Sequence, residues 1–391
     1  MFLENQNDMQ IEKYYELLKI VGGLSNLFSE STVPYLYYRA AENIFCKAFG
    51  ADNLSRSDCS ADARKDFLGI GLKTFLNGNG KTYQKVAEFN KERGLYIQKD
   101  KNTDDIIKTV SELRNKRISS TQRIHNLDNM IYHCVSRTEN KFLIFEEKMD
   151  LININKISKI SNKNNSITFE DGINEYNFNL SKSTLLKRFY TPEHSKIIDI
   201  DIIKNPFDFL EDLFKKYKEE IECIEKENTK FDFVILPLYS HRNSRVEEKS
   251  GLNQWNANGR KRNEDEIYIP IPSWIHKIYP NFFPTVEENF NLILPNKQVI
   301  NAKVCQSYSV VIGNEKINKG KAIMSNPNNA LGKWLLRDVL KLPYGKIVKI
   351  EDLYEIGIDS VEVKKIDNKN FEINFKKQGS FEEFCSNSKN K

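Results

Sequence analysis

An aspartate and a lysine occupy neighbouring strand-like segments in the first half of the sequence. Asp62 lies in the short segment 60–64, and Lys73 lies in the segment 67–75, after a turn around Lys65-Asp66. A hairpin of this kind brings the two side chains close together. An aspartate at a strand end holds Mg²⁺, and a nearby lysine positions or deprotonates the attacking water. The pattern predicts a site for metal-dependent hydrolysis of phosphodiester bonds.

This arrangement resembles the PD-(D/E)xK nucleases, in which an aspartate is followed, after a variable gap, by an acid, any residue and a lysine. The matching residues are Asp62 and Gly71-Leu72-Lys73. The sequence departs from the family pattern twice, because Ala61 replaces the proline and Gly71 occupies the acidic position. The resemblance implies an α/β (α+β) domain, Mg²⁺ as cofactor and cleavage of DNA.

A second carboxylate must therefore come from another element. Glu42 follows the Pro34 helix signal and lies between Tyr38 and Phe45 on a predicted helix, so we expect it to point inward. Glu88 is the reserve candidate. The predicted catalytic residues are Glu42, Asp62 and Lys73, and the predicted metal ligands are Glu42 and Asp62.

Helices and strands around this motif predict one N-terminal domain over residues 1–200. Residues 11–49 read as helical, residues 103–117 form an amphipathic helix, and strands follow over residues 130–178. A linking helix is predicted over residues 201–228. Its apolar residues at core spacing are Phe207, Leu210, Leu213, Phe214 and Tyr217.

A polar loop at residues 250–263 dominates the second half of the chain. It combines Asn and Gln side chains with Trp255 and the basic triplet Arg260-Lys261-Arg262. Asn and Gln pair with adenine edges and Arg pairs with guanine, so this composition suits base reading in a major groove. Residues 238–262 hold six Lys or Arg against two Glu, which favours contact with phosphates.

About eight short strands beyond residue 229 predict a small barrel, and a helix at residues 329–340 follows a second amide-rich loop at residues 325–329. Residues 205–379 resemble the B3-like DNA-recognition domains of plant transcription factors and of several type II restriction endonucleases. In that family two arms embrace the major groove, which makes the two loops the arms. We expect a mainly β B3-like pseudobarrel over residues 229–379 and a polar tail over residues 380–391.

The resemblance and the loop composition together give the predicted DNA contacts. Phosphate contacts are expected from Arg242, Arg245 and Lys249. Contacts in the two arms are expected from Asn253, Gln254, Asn256, Arg260, Arg262, Asn326, Asn328 and Lys333. Trp255 and Trp334 are expected to be packing anchors.

Composition limits the remaining possibilities. A chain of 391 residues suffices for two domains. The six cysteines are scattered without metal-ligand spacing, which fits a reducing cytoplasm and argues against a zinc site. The N-terminus lacks the pattern of a signal peptide, and no apolar run reaches the roughly 20 residues that cross a membrane.

These features together predict a type II restriction endonuclease that makes Mg²⁺-dependent, sequence-specific cuts in double-stranded DNA. The expected partners are double-stranded DNA and a cognate DNA methyltransferase without a stable complex, and the sequence leaves a homodimer open. One alternative is a non-catalytic DNA-binding regulator, which the glycine at position 71 keeps open. The other is a metal-independent nuclease of the phospholipase-D type, because His194, Lys196 and Asp201 fit its H-x-K-x4-D pattern.

Overall fold

The structure, a computed structural model, describes residues 2–55, 59–97, 102–217, 233–241, 243–286, 288–312 and 315–388. The chain divides into two compact units. The N-terminal unit comprises Met1–Gln122 and Leu127–Thr229, and the C-terminal unit comprises Arg123–Asn126 and Lys230–Lys391.

The N-terminal unit combines helices with two sheets. Its helices are α1 (Asp8–Gly23), α2 (Tyr38–Phe49), α3 (Arg93–Tyr96), α4 (Thr103–His125) and α5 (Pro206–Lys216). Its strands are β1 (Asp52–Asn53), β2 (Ala63–Lys65), β3 (Leu68–Leu76), β4 (Lys81–Glu88), β5 (Asn129–Thr138), β6 (Lys141–Lys148), β7 (Ser158–Lys163), β8 (Ser166–Glu170), β9 (Glu175–Asn179), β10 (Thr184–Tyr190) and β11 (Lys196–Asp199).

The first sheet has the strand order β1-β2-β3-β5-β6-β11. Strands β2 and β3 form an antiparallel hairpin, whereas β3 and β5 are parallel and are separated in sequence by α4. Asp66 adopts a positive φ of 53° in the hairpin turn, a conformation that Asp tolerates better than most residues. The predicted hairpin is therefore present, with its turn close to the expected residues.

Helices α1 and α2 cover one face of this sheet. Tyr14 and Phe45 pack with Ile70, Leu72 and Val135 in a single apolar cluster. Helix α2 ends at Gly50, whose φ of 61° favours glycine at this position. Since Leu72 points into this core, strand alternation directs Gly71 and Lys73 to the opposite face.

The second sheet has the strand order β4-β10-β9-β8-β7 and is antiparallel throughout. Phe89, Ile107, Val110 and Phe178 form its core, which places the apolar side of α4 against this sheet. The helical pattern predicted for residues 103–117 is thus observed in a longer helix.

The C-terminal unit is mostly β. Its strands are β12 (Phe233–Pro237), β13 (Ile269–Pro270), β14 (Asn289–Ile293), β15 (Val299–Ile312), β16 (Glu315–Ser325), β17 (Ile358–Lys365) and β18 (Asn370–Lys377). They form one sheet in the order β12-β17-β18-β14-β15-β16-β13, and the edge strands β12 and β13 contact each other. The sheet is therefore nearly closed and barrel-like. Its helices are α6 (Ser273–Ile278), α7 (Ala330–Gly332), which continues as a π-helix over Lys333–Val339, α8 (Ile350–Tyr354) and α9 (Ser380–Ser388).

Several details differ from the sequence-based expectations. The alternating pattern predicts short strands at residues 299–305, 321–324 and 346–350. Residues 346–349 instead lead into α8, and the other two segments belong to the long hairpin β15–β16. Residues 380–388 are helical with Phe381 buried, so the predicted polar tail begins as a packed helix.

The apolar side of α5 also departs from the prediction. Phe207 is 63% exposed and Phe214 is 55% exposed, so these residues are not in a core. Residues 218–228 of the predicted linking helix lie outside the described residues. Within the part of the chain that the structure describes, no helix combines the length and apolarity needed to cross a membrane.

Candidate active site and nucleic-acid interface

Asp62 precedes β2 and is hydrogen-bonded to the neighbouring strand β3. Its backbone N–H donates to the carbonyl of Ile70, and its Oδ2 accepts the N–H of Leu72, both at 2.8 Å. This anchoring places the carboxylate beside the residue that precedes Lys73. Local hairpin geometry therefore brings Asp62 and Lys73 together, as the sequence predicts.

Glu42 reaches the same region from helix α2. It is only 4% exposed, and its Oε2 accepts a hydrogen bond of 2.9 Å from Nη1 of Arg39, one helical turn earlier. The same Arg39 nitrogen donates to the carbonyl of Ser55 at 3.1 Å. The expectation that Glu42 points inward is correct.

Electrostatic effects join these residues into one cluster. Burial raises the pKa of Asp62, while the charge of Lys73, the N–H of Leu72 and the charge of Arg39 oppose that rise. Burial, and then repulsion by Asp62, raise the pKa of Glu42, and Arg39 opposes this. Two desolvated carboxylates thus repel each other beside two cationic side chains, and such a group of perturbed carboxylates is a candidate functional site. We call Arg39, Glu42, Asp62 and Lys73 the carboxylate cluster.

The missing acid at Gly71 has a steric explanation. A Cβ atom at this position would lie 2.6 Å from Cε of Met149 and 3.2 Å from the ring of Tyr132. Tyr132 is also the partner of Gly71 in the β3–β5 register. Neighbouring side chains fill the space that the family's acidic residue would occupy, so Gly71 permits this close packing.

The donor set of the carboxylate cluster fits Mg²⁺ in a limited way. Among the described residues, no group of three His, Cys, Asp or Glu side chains is arranged to hold a metal ion. Mg²⁺ commonly uses only one or two carboxylates, retains several waters and gains ligands from substrate phosphates. Asp62 and Glu42 match that requirement. The reserve candidate Glu88 is exposed on the second sheet and bonds to Lys85 and Asn90.

Sequence reasoning missed a polar row beside Lys73. The Lys73 ammonium lies 5.9 Å from the ring centre of Tyr132, whose hydroxyl accepts a 2.7 Å bond from Nη2 of Arg114. Nζ of Lys187 lies 2.6 Å from Oε1 of Glu147, which pairs with Tyr132 across β5 and β6. Arg39 of the carboxylate cluster could have been found from the sequence, because it lies one helical turn before Glu42. The residues of the polar row could not, because they lie on elements that are distant in sequence from Lys73.

The residues of the phospholipase-D pattern are exposed. His194 lies before β11, Lys196 is the first residue of this edge strand, and Asp201 follows it. The Lys196 ammonium lies 5.5 Å from the ring centre of Tyr15. These positions do not form the enclosed phosphate site that a covalent mechanism needs.

In the C-terminal unit, Asn253 is a structural residue of the first loop. It is 0% exposed, its Nδ2 donates to the carbonyls of Glu247 (3.0 Å) and Val348 (2.9 Å), and its Oδ1 accepts the N–H of Val348 at 2.8 Å. A buried amide with these bonds is not available to a base edge. The predicted base contact by Asn253 is therefore wrong.

The basic triplet is divided between an exposed and an enclosed arginine. Arg260 has a 59% exposed side chain and bonds to the buried carboxylate of Glu266 at 2.6 Å. Arg262 is largely buried, lies 3.5 Å from the same carboxylate and donates to three loop carbonyls. Arg262 stabilises the loop in this conformation, whereas the side chain of Arg260 is mostly accessible and Arg260 remains a proposed DNA contact.

The remaining predicted contacts of the first loop are accessible in different degrees. Arg245 and Lys249 are exposed, and Arg245 lies 3.7 Å from Glu247. Gln254 and Asn256 are half-buried, and Asn256 donates to the carbonyl of Glu248. Arg242 lies outside the described residues.

The second loop is joined to the base of the first. A Cβ on Gly332 would lie 1.9 Å from the carbonyl oxygen of Asp265, so the helix packs directly against this backbone. Nε of Arg337 bonds to Oδ1 of Asp265 at 2.7 Å. Asn326 and Lys333 are exposed and Asn328 is half-buried, so all three remain proposed DNA contacts.

The two tryptophans have the predicted packing role. Trp334 belongs to the C-terminal core, and Trp255 packs against it while remaining partly exposed. Neither is a free stacking surface for bases.

The C-terminal unit is mostly β, its sheet is nearly closed, and its two polar loops are connected through the contacts at Asp265. These features fit a B3-like DNA-binding domain. Residues 223–367 match the family model of the NgoFVII C-terminal B3-like DNA-binding domain. This match supports a restriction-enzyme DNA-binding domain in the C-terminal unit and confirms the B3-like resemblance there. No curated protein sequence matches the chain at a significant level.

Proposed function

We propose that the protein is a type II restriction endonuclease whose N-terminal unit cuts double-stranded DNA selected by its C-terminal unit. The observation that carries the proposal is the carboxylate cluster, in a chain whose other unit is a restriction-enzyme DNA-binding domain. Supporting it, helix α2 and strands β1, β2 and β3 are followed, after β4 and α3, by helix α4 and by β5, which pairs parallel with β3.

Each residue of the cluster has a role in this proposal. Glu42 and Asp62 would hold Mg²⁺, which supplies a polarised phosphate and an activated water when bound. Lys73 would orient that water or donate hydrogen bonds from its ammonium group to the phosphate oxygens. Arg39 positions Glu42 and limits its protonation.

The first prediction separates cutting from binding. Asp62→Asn keeps the acceptor for the Leu72 N–H but removes the negative charge. Because metal stabilisation of the transition state contributes several kcal/mol, we expect cleavage to fall by about 10³-fold or more. Affinity for the same duplex in the absence of Mg²⁺ should stay within about twofold, since the C-terminal unit makes the sequence-reading contacts.

Asp66→Asn is the matched control, because Asp66 lies in the same hairpin but is exposed in its turn. It should retain both activities. If Asp62→Asn loses DNA affinity while remaining folded, the division of roles between the units is wrong.

The non-catalytic regulator is the competing function. It is favoured by one observation, the packing of Met149 and Tyr132 where the family has its acid. A regulator would bind one sequence tightly and leave every phosphodiester bond intact with any divalent cation.

A further inference from the structure

The C-terminal unit contains a pocket of about 580 Å³ beside the first polar loop. Its walls include four aromatic side chains: Tyr239, Tyr268, Trp274 and Tyr308. Ser250 and Gly251 of the loop also line it, as does Glu247, and the exposed Arg245 and Lys249 lie close to them in sequence. Its size falls in the usual range for sites that bind small molecules.

The aromatic walls are fixed by contacts outside the pocket. The hydroxyl of Tyr239, a buried residue, donates to the carboxylate of Glu382. The ring of Trp274 lies 5.7 Å from that of Phe384 and 6.4 Å from that of Phe381, both on α9. These walls need little rearrangement to accept a flat ligand, which lowers the entropic cost of binding.

Tyr308 adds a polar group that lacks a partner. Its hydroxyl oxygen is buried and makes no hydrogen bond with the residues that the structure describes. A buried hydroxyl without a partner is unfavourable, so a ligand edge that can donate or accept would be stabilised there. Burial raises the pKa of Tyr308, and the hydroxyl therefore keeps its proton at neutral pH.

The charge at the rim restricts the ligand further. Lys321 is exposed, lines the pocket and holds its ammonium 5.4 Å from the ring centre of Tyr308. Lys321 would attract a ring that carries a phosphate, whereas Glu247, which also lines the pocket, would keep that phosphate away from its own side. Aromatic walls, a free hydroxyl and a rim ammonium together describe a nucleotide site.

We propose that this pocket receives one nucleotide extruded from the duplex that the C-terminal unit binds. The inference rests on the proposed DNA-binding function of this unit but not on catalysis by the other. Proteins that extrude a base hold it between aromatic side chains and read its edge by hydrogen bonds. Ser250, Gly251 and Leu252, which belong to the loop that we propose contacts DNA, line the pocket, so an extruded base would lie beside that contact.

The test measures affinity for duplexes that carry one mispair. The full chain, in EDTA to prevent metal-dependent cutting, is first used to select a bound duplex from a random-sequence library. Single mispairs are then placed at each position, because a weakened pair reduces the cost of extrusion. At one position we expect affinity to rise by about tenfold, and Tyr308→Phe should remove most of that gain.

Tyr344→Phe is the control, since Tyr344 is exposed in the same unit and does not line the pocket. If every mispair weakens binding or leaves it unchanged, the extrusion proposal is overturned while DNA binding stands. If no duplex is selected, the proposed function itself fails. Titration with the four deoxynucleoside monophosphates tests whether the pocket binds a free nucleotide instead of an extruded one. Saturable binding that Tyr308→Phe abolishes, together with no effect of mispairs, would overturn extrusion and assign the pocket to a free nucleotide.

Discussion

The two units bury polar side chains with opposite consequences. In the N-terminal unit, Glu42 and Asp62 are desolvated, repel each other and have raised pKa values. In the C-terminal unit, Asn253 and Glu266 are also buried, but backbone groups satisfy Asn253 and an arginine pairs with Glu266. Burial of a polar residue therefore does not identify a reactive site. A more useful criterion is whether the partners of a buried polar residue compensate its charge. By this criterion the carboxylate cluster differs from Asn253 and Glu266, which stabilise the DNA-binding loops.

The largest effect on stability is expected at Asn253. Asn253→Ala would leave the N–H and carbonyl of Val348 and the carbonyl of Glu247 without their side-chain partner. Each buried group left unsatisfied costs about 1–3 kcal/mol, so the free energy of unfolding should fall by about 3 kcal/mol. Denaturant titration measures this. Asn258→Ala, on the exposed part of the same loop, is the control and should change it by less than about 0.5 kcal/mol. Equal effects of the two substitutions would show that Asn253 does not stabilise the first polar loop.

Arg260 tests the exposed side of the same comparison. If it pairs with guanine, Arg260→Ala should weaken binding to the target duplex by about 1–3 kcal/mol and change binding to unrelated DNA little. Competition titrations with both duplexes measure the difference. A parallel unfolding experiment accounts for the loss of its bond to Glu266. Equal weakening on both duplexes would make Arg260 a phosphate contact.

The raised pKa values predict how pH acts on the carboxylate cluster. In the unfolded chain these carboxyl groups ionise near pH 4, whereas in the folded protein they retain protons to higher pH. The folded state then binds more protons, so this part of the stability decreases as pH rises through that window. The double variant Glu42→Gln/Asp62→Asn should lose this decrease in denaturant titrations between pH 4 and 7. Identical pH slopes in the variant and the unchanged protein would contradict the raised pKa values of Glu42 and Asp62.

The smallest effect is expected at the rim of the DNA-binding surface. Lys249 is exposed, so Lys249→Ala should leave stability nearly unchanged and weaken all duplexes alike. The slope of log affinity against log salt concentration should decrease in magnitude by about 0.9, as expected for one lost phosphate contact. An unchanged slope would exclude that contact.

Local patterns predicted the parts of the candidate site that depend on neighbouring residues. The hairpin that joins Asp62 to Lys73 follows from two strand-like segments around a turn, and helical spacing indicated that Glu42 points inward. The reason for glycine at position 71 could not be predicted, because Met149 and Tyr132 reach it from other strands. The role of Asn253 was missed for the same reason, since its partner Val348 is distant in sequence.

The same distinction applies to the fold. Alternating and helical patterns predicted the mixed N-terminal sheet region and the mainly β C-terminal unit, whose B3-like character the family match supports. They failed for α5, whose apolar spacing is typical of a core helix although Phe207 and Phe214 are exposed. Spacing describes one side of a helix but does not determine what covers that side.

Digestion of unmethylated phage DNA by the purified full chain, with Mg²⁺ and separately with EDTA, tests the central claim most directly. We predict discrete fragments with Mg²⁺ and intact DNA with EDTA, because in the proposed function Glu42 and Asp62 would hold the Mg²⁺ that activates the attacking water. Fragments of the same sizes in EDTA would contradict a metal-dependent site and direct attention to His194 and Lys196. Tight, sequence-specific binding without cutting of either unmethylated or methylated DNA would contradict the nuclease and favour the regulator.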